Sequence, residues 1–247
     1  MSNGQCSERF SEIRTNIDVV VFSDSKLVCA SMLLKEFTSL FLKHTKPTRS
    51  HLTPELLLRL VTADCPLWSA PADQSPFKDP FWGFYWPGGQ AIARYILDNA
   101  DLVNNCKILD VGCGCGAGAL AAAKVNAKLV VANDIDLCAL YATKLNADLN
   151  DLRVQTSSVN LIGNDCNEFD AIFIGDMFYD EDFANLLFDW LIKLSKKKMV
   201  LIGDPGRHGL TDRRKNQMRL LAQYEMPKVT CKENNGFTHT TVWTLKT

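Results

Sequence analysis

The chain has 247 residues, 47% of them hydrophobic and 22% charged, which is enough apolar material for a sizeable core in one large domain or a domain with an extension. A formal net charge of −1 gives no electrostatic footprint for nucleic acid or an anionic membrane, and no apolar run approaches the ~20 residues of a transmembrane helix. Nine cysteines, an odd number with no C-x-x-C pair, argue against a disulfide framework and point to a reducing compartment.

Residues 1–50 read as an N-terminal extension. It holds a strand-like run, Asp18 to Phe22, and an amphipathic helix from Lys26 to His44, where Leu27, Ala30, Leu33, Leu34, Phe37 and Phe41 recur at spacings of three and four. That helix either shapes a substrate groove or covers one face of a sheet. Arg9 and Arg14 are balanced by Glu8 and Glu12, which makes a poor secretory signal and a weak transit peptide. Thr53-Pro54-Glu55 has the N-cap, first-turn proline and acidic first turn of a short helix running to Val61. Pro66, Pro71, Pro76 and Pro80 then give a loop-like cover. In P-F-W-G-F-Y-W-P-G-G, a strand and turn packs Trp82 and Phe84 into the core and leads into a helix from Gln90 to Asp98. Trp86, beside Pro87-Gly88-Gly89, suits a chain that closes over a ligand.

The next stretch, K-I-L-D-V-G-C-G-C-G-A-G from Lys107 to Gly118, organises the rest. Ile108 to Val111 reads as a buried parallel strand, the glycines as a tight loop, and Ala117 to Ala123 as a helix. Strand, glycine loop and helix together present backbone N–H groups to a nucleotide-like ligand at the carboxyl end of a sheet. Cys113 and Cys115 lack nearby Cys or His partners, so they read as small thiols packed beside that ligand and not as metal ligands.

A second strand, Lys128 to Asn133, ends in Asp134-Ile135-Asp136. Asp134 lies 24 residues after Asp110, near the ~20-residue interval at which an acid grips ribose hydroxyls. Asp136 is placed to cap a helix from Leu137 to Leu149. Arg153 to Ser158 is a third strand, leading into Asn160 and a polar loop. Phe169 to Gly175 is the fourth, ending in Asp176-Met177-Phe178-Tyr179-Asp180. A helix from Asp182 to Leu194 carries Phe183, Leu186, Leu187, Trp190, Leu191 and Leu194 on one stripe. The fifth strand, Lys198 to Gly203, precedes Asp204-Pro205-Gly206-Arg207, where Arg207 reads as ordering the loop. Arg213 to Ala222 is expected to be helical. Glu225 to Lys232 and Thr238 to Leu245 alternate as strands joined by Asn234-Asn235-Gly236. The four histidines have no metal or triad spacing. The fold class is α/β: a Rossmann-like, seven-stranded, mostly parallel sheet with helices on both faces, a C-terminal antiparallel β-hairpin and an N-terminal helical extension.

Gly112, Gly114 and Ala117 also fit the G-x-G-x-x-A of a dinucleotide-binding dehydrogenase. Asp110 at the strand end faces a cation better than a pyrophosphate, no His, Lys or Tyr arrangement suits hydride transfer, and the terminal hairpin is foreign to that fold. S-adenosyl-L-methionine fits better: Asp110 suits its positive methionine end, Asp134 its ribose, and Trp86 its charge or its adenine. D-V-G-C-G-C-G with Asp134 resembles the seven-β-strand (class I) methyltransferases. F-W-G-F-Y-W-P-G-G-Q-A, A-N-D-I-D, G-D-M-F-Y-D-E-D and L-I-G-D-P-G-R narrow the resemblance to the mitochondrial protein-lysine methyltransferases of the electron transfer flavoprotein β subunit. Ribosomal-protein L11 methyltransferases are a more distant likeness. The similarity runs from about Leu52 to the C-terminus.

The resemblance implies an S-adenosyl-L-methionine-dependent protein-lysine N-methyltransferase domain over 51–247. It would work as a monomer in the mitochondrial matrix, or alternatively the cytoplasm, on the electron transfer flavoprotein β subunit, with no nucleic-acid, membrane or metal partner. It also implies that Trp86, Gly112, Gly114 and Asp134 contact the cofactor. With Asp110, Cys113, Gly116, Asn160 and Gly175 they form the candidate cofactor site. The D-x-x-Y signature, Asp176 and Tyr179, is implied to lie beside the acceptor lysine as the catalytic pair. Asp176 would orient the amine, while Tyr179 either helps hold it or is a packing residue; for capping the next helix, Asp180 or Asp182 is nearer. A free lysine (pKa ~10.4) must lose its proton before it attacks, and burial against Phe178, Tyr179 and Trp82 would favour that. The Cys-rich loop departs from the Ser or Ala that related proteins often carry, without an expected functional change. Rival readings are a class I methyltransferase acting on another protein (L11-like) or a small molecule, and a non-catalytic cofactor-binding module.

Overall fold

The computed structural model describes residues 35–234 and 236–246. The expected strand Asp18 to Phe22 and residues 26–34 of the expected helix lie outside the described residues, as does Asn235 of the expected turn. Residues 35–44 are helical (α1) and bury Phe37 and Phe41. Two short strands, β1 (Lys46–Thr48) and β2 (Leu58–Leu60), pair antiparallel. β2 replaces the helix expected from Glu55 to Val61. Leu56, Leu58 and Leu60 all point inward, a two-residue period that the run of three leucines conceals. The free edge of this segment is satisfied by side chains. Leu57 N–H donates to Asn150 Oδ1 and Arg59 N–H to Asn146 Oδ1, both at 2.8 Å.

Phe81–Gly83 is a 3-10 turn where a strand was expected, although Trp82 is buried as foreseen. Helix α2 (Pro87–Asp98) begins three residues earlier than the sequence suggested, with Pro87 at its first position. Pro-Gly-Gly is the first helical turn, and Gly88 is there because backbone from the sheet comes so close. A Cβ on Gly88 would stand 2.2 Å from the carbonyl oxygen of Gly203.

From here the expected elements recur within a few residues: β3 (Lys107–Val111), α3 (Ala117–Lys124), β4 (Leu129–Asn133), α4 (Leu137–Asp148), β5 (Gln155–Ser157), β6 (Ala171–Gly175), α5 (Glu181–Ser195) and β7 (Met199–Asp204). On α5 the apolar stripe holds except at Leu186, which is exposed, while Ala184 and Phe188 take inner positions. A four-residue helix, α6 (Asp212–Lys215), and a strand, β8 (Met218–Glu225), replace the helix expected from Arg213 to Ala222. Conversely α7 (Lys228–Glu233) replaces most of the strand expected from Glu225 to Lys232, and β9 (His239–Leu245) closes the chain. Met218-Arg-Leu-Leu-Ala-Gln has good helix formers, but pairing with β9 from Met218↔Leu245 to Glu225↔His239 overrides that preference.

The seven strands run in the order β5-β4-β3-β6-β7-β9-β8. β5, β4, β3, β6 and β7 are parallel, β9 is antiparallel to β7, and β8 is antiparallel to β9. Strand alternation divides the core. Ile108, Val130, Phe173 and Leu201 pack with α2 and α3, while Leu109, Val131, Ile172 and Val200 pack with α5. A third cluster joins Phe37 and Phe41 of α1 to Phe77, Trp82 and the α4 alanines Ala139 and Ala142. Strand order reverses between β3 and β6, with β4 and β5 laid down on one side of β3 and β6 and β7 on the other, and ligands of open α/β sheets bind at that reversal.

Candidate active site

The loop after β3 is held open by backbone that only glycine adopts readily: Gly112, Gly114 and Gly116 have φ of +67°, +52° and +85°. β3 turns Asp110 inward, where its Oδ2 accepts the Ala119 N–H at 2.8 Å. Burial pushes its carboxyl up to about 7; the Ala119 N–H opposes this and the charge of Asp134 adds to it. At the end of β4, Asp134 Oδ2 accepts from Gly114 N–H and its Oδ1 from Asp136 N–H, each at 3.0 Å. Its carboxyl is raised as well, chiefly by burial. Two residues that the sequence reading passed over fix the loop from α4. Thr143 Oγ1 donates to Gly114 O at 3.2 Å, and Asn146 Nδ2 donates to Cys115 O at 3.0 Å. The available signal was a threonine and an asparagine three apart in a helix whose other inward residues are apolar.

A cavity, with about 410 Å³ of space when its opening to solvent is included, lies at the carboxyl ends of β3 and β6, lined by Phe84, Tyr85 and Trp86 on one side and by Asp110 and residues 112–115 on the other. Gly89, Ile92, Ala117, Gly118 and Gly175 complete the lining. Among the described residues, neither Asp110 nor Asp134 has an ion-pair partner. A glycine cradle with two uncompensated, largely buried carboxyls fits a nucleoside that carries positive charge. Cys113 and Cys115 are buried beside it; burial raises the Cys115 thiol to about 12 and that of Cys113 well above its ordinary value, so both stay protonated. No group of three or more His, Cys, Asp or Glu among the described residues could hold a metal ion.

Of the expected cofactor residues, Trp86, Asp110, Gly112, Cys113, Gly114 and Gly175 line the cavity. Asp134 reaches it through Gly114, and Gly116 serves as the N-cap of α3. Asn160 is not brought to it. It is exposed on the loop after β5, where its Oδ1 accepts from Ile162 N–H at 3.1 Å.

Beside the cavity, Asp176 follows β6 in the left-handed region, φ +60°, and its N–H donates to Gly203 O at 2.9 Å. Gly88 N–H donates to its Oδ2, and Arg207 Nε to its Oδ1 at 2.6 Å. Burial raises the Asp176 carboxyl, and the Arg207 charge opposes that rise. Asp180 caps α5 by accepting from Phe183 N–H at 2.8 Å, so Asp176 is free of that duty. Tyr179 is 56% exposed and stacks on Phe183. Phe178 and Trp82, expected beside an acceptor, are buried in the second and third core clusters instead.

A family model described as ribosomal protein L11 methyltransferase (PrmA) matches residues 92–238. The chain is 44% identical over 212 residues to the electron transfer flavoprotein beta subunit lysine methyltransferase of Xenopus laevis, covering 84% of this chain and 86% of that one. The Homo sapiens protein of that name is 42% identical over 218 residues, covering 86% of this chain and 83% of the other. The Caenorhabditis elegans homolog is 42% identical over 230 residues, covering 83% and 94%.

Proposed function

We propose that this chain, which belongs to the family of electron transfer flavoprotein β-subunit lysine methyltransferases, binds S-adenosyl-L-methionine in the β3–β6 cavity and methylates lysines of the electron transfer flavoprotein β subunit. The observation that carries this reading is the pair of uncompensated buried carboxyls on a glycine cradle, next to Asp176. Asp110 would meet the ammonium of the methionine end and Asp134 the ribose hydroxyls, while Trp86 and Tyr85 form the wall. When bound, the donor supplies an electrophilic methyl group on positive sulfur, which a neutral lysine nitrogen takes while the C–S electron pair stays with sulfur.

What the chain adds is position and proton state. Each Asp176 oxygen accepts one donor from the protein and keeps a further lone pair for the N–H of an incoming amine. Tyr179, exposed at the end of the same loop, offers an apolar wall and a hydroxyl to the lysine stem. Partial desolvation there favours the uncharged amine, whose proton leaves to solvent before transfer. Holding amine and methyl in line supplies ~7–11 kcal/mol of the barrier reduction. The reading carries with it the matrix location of the substrate. No helix among the described residues is long and apolar enough to cross a membrane.

The test is transfer of labelled methyl to purified electron transfer flavoprotein, with a mitochondrial extract in parallel. Label on the β subunit supports the proposal; label on another protein or on small solutes moves the chain to a rival acceptor; donor binding without transfer makes it a binding module. Asp176→Asn keeps a residue that tolerates positive φ. It is expected to lower kcat by about 10²–10³-fold, with the donor Kd within about 3-fold. Equal losses of turnover and donor affinity would sink the role given to Asp176.

A further inference from the structure

We propose that Arg207 is a positioning residue for methyl transfer, clamping the Asp176 carboxylate against the Trp86 wall of the donor cavity. The proposal rests on the function given above. By sequence alone Arg207 reads as ordering its loop, and its surroundings are more specific than that. Its Nε lies 2.6 Å from Asp176 Oδ1, with its side chain 15% exposed and that of Asp176 4%. The guanidinium carbon is 5.4 Å from the Trp86 ring and 4.9 Å from the Phe237 ring. A planar cation with a donor edge and two apolar faces is what this slot accepts, and a lysine ammonium would fill only the donor part. The backbone is fixed too. Gly206 and Arg207 N–H groups donate to Asp204 Oδ1 at 2.6 and 2.7 Å, so the end of β7 aims the arginine. Three separate segments therefore meet on one side chain: the β6 loop through Asp176, the entry to α2 through Trp86, and the approach to β9 through Phe237.

The charge balance gives this a consequence that packing alone would not. Among the described residues, the charged group acting on Asp176 is Arg207, and those acting on Asp204 are Asp176 and Arg207; α2 faces Asp176 with the Gly88 N–H alone. Asp204 Oδ2 is fully buried with no hydrogen-bond partner among the described residues, and burial, with the Asp176 charge adding to it, pushes the Asp204 carboxyl up to about 7. One cation thus serves two buried acids. Take it away and Asp176, already raised by burial with Arg207 opposing the rise, is raised further and keeps a proton to higher pH than in the wild type. It would then present an O–H where the acceptor amine needs an oxygen lone pair.

The experiment is methylation of the electron transfer flavoprotein by wild type, Arg207→Gln, Arg207→Lys and Phe237→Leu between pH 6.5 and 9, with donor Kd measured on each. Arg207→Gln is expected to lower kcat about 10²-fold at pH 7, with donor Kd within about 3-fold. Because the loss is largely one of protonation, the wild-type-to-variant ratio should narrow as pH rises, by up to ~10-fold per unit. Arg207→Lys keeps the charge, so its ratio to wild type should stay flat with pH, at roughly a tenth of the wild-type kcat. A pH-independent ratio for Arg207→Gln, or parallel losses of donor affinity and kcat, overturns the proposal. If Arg207→Gln does not fold, the other two variants decide: both must lower kcat without moving donor Kd, and an unchanged kcat in both overturns it. Absence of transfer by wild type would instead count against the proposed function.

Discussion

At the scale of single residues, Asp110 connects burial, proton binding and ligand affinity. Its carboxyl lies on an apolar strand with one backbone donor and no cation, and burial raises it from 3.8 to about 7. The folded, ligand-free protein therefore holds a proton there that the unfolded chain has already released. The sign follows: the contribution to stability is present below pH ~4 and is lost as pH rises toward and through about 7. A positive ligand group at Asp110 reverses the preference, because it favours the carboxylate. Donor affinity is thus expected to tighten by up to ~10-fold per unit from pH 6 to pH 7 and to level off above that. Asp110→Asn should flatten this dependence and weaken binding at pH 8, and the ligand-free variant should melt above wild type there. Calorimetric titration across pH tests the pair, and a flat wild-type profile would remove Asp110 from the ammonium site. Asp110 and Asp134 were legible because the motif that positions them is local in sequence. Arg207 was not, since its partner lies 31 positions away and an arginine after D-P-G is equally at home on a solvated loop.

At the scale of elements, two adjacent glycines in the first turn of α2 separate close approach from simple permissiveness. A Cβ on Gly88 would be 2.2 Å from Gly203 O and 2.6 Å from Asp176 N, both backbone, so nothing flexible can yield. On Gly89 it would be 3.8 Å from the Tyr85 ring, an ordinary contact. Gly88→Ala is expected to cost more than about 3 kcal/mol or to prevent folding. Gly89→Ala should be neutral or stabilising by up to about 1 kcal/mol through helix propensity and reduced unfolded-state freedom. Chemical denaturation of both variants measures this, and similar stabilities would mean that α2 does not seat on β6 and β7 through Gly88. The parallel strands β3, β4, β6 and β7 were readable because each is an apolar run closed by glycine or aspartate, whereas β5 is the polar run Gln155-Thr156-Ser157. The segments misread as helix, 55–61 and 213–222, are rich in leucine and arginine and take strand form only through distant partners. For the first these are β1, Asn146 of α4 and Asn150 just after it; for the second, β9. Such partners leave no trace in local periodicity.

For the whole molecule, the question is whether the segment before residue 50 is attached to the catalytic fold or built into it. Phe41 of α1 is fully buried, with ring centroids 5.8 Å from Trp82 and 5.8 Å from Phe37. Trp82 in turn lies beside the glycine loop: its Cα is the atom that a Cβ on Gly114 would meet, at 4.0 Å. α4 closes the circle, because Ala139 and Ala142 pack in the same cluster while Thr143 and Asn146, next along the helix, hold the loop carbonyls. The aromatic cluster is therefore joined through α4 to the loop of the proposed donor site, and residues 35–44 pack on α4 and the segment around Phe77 and Trp82, not on a face of the seven-stranded sheet as one of the two expected roles had it. Emptying its centre by Phe41→Ala should cost about 3–5 kcal/mol, which at ~2–4 °C per kcal/mol for a chain of this size is a fall in Tm on the order of 10 °C. Since α4 packs in this cluster and holds the loop through Thr143 and Asn146, donor affinity should weaken in parallel even though Phe41 does not line the cavity. Tm and donor Kd measured on the same preparation distinguish the cases. A lowered Tm with unchanged Kd makes α1 a stabilising cover alone, whereas a shift in both makes the packing of α1 part of how the glycine loop keeps its shape.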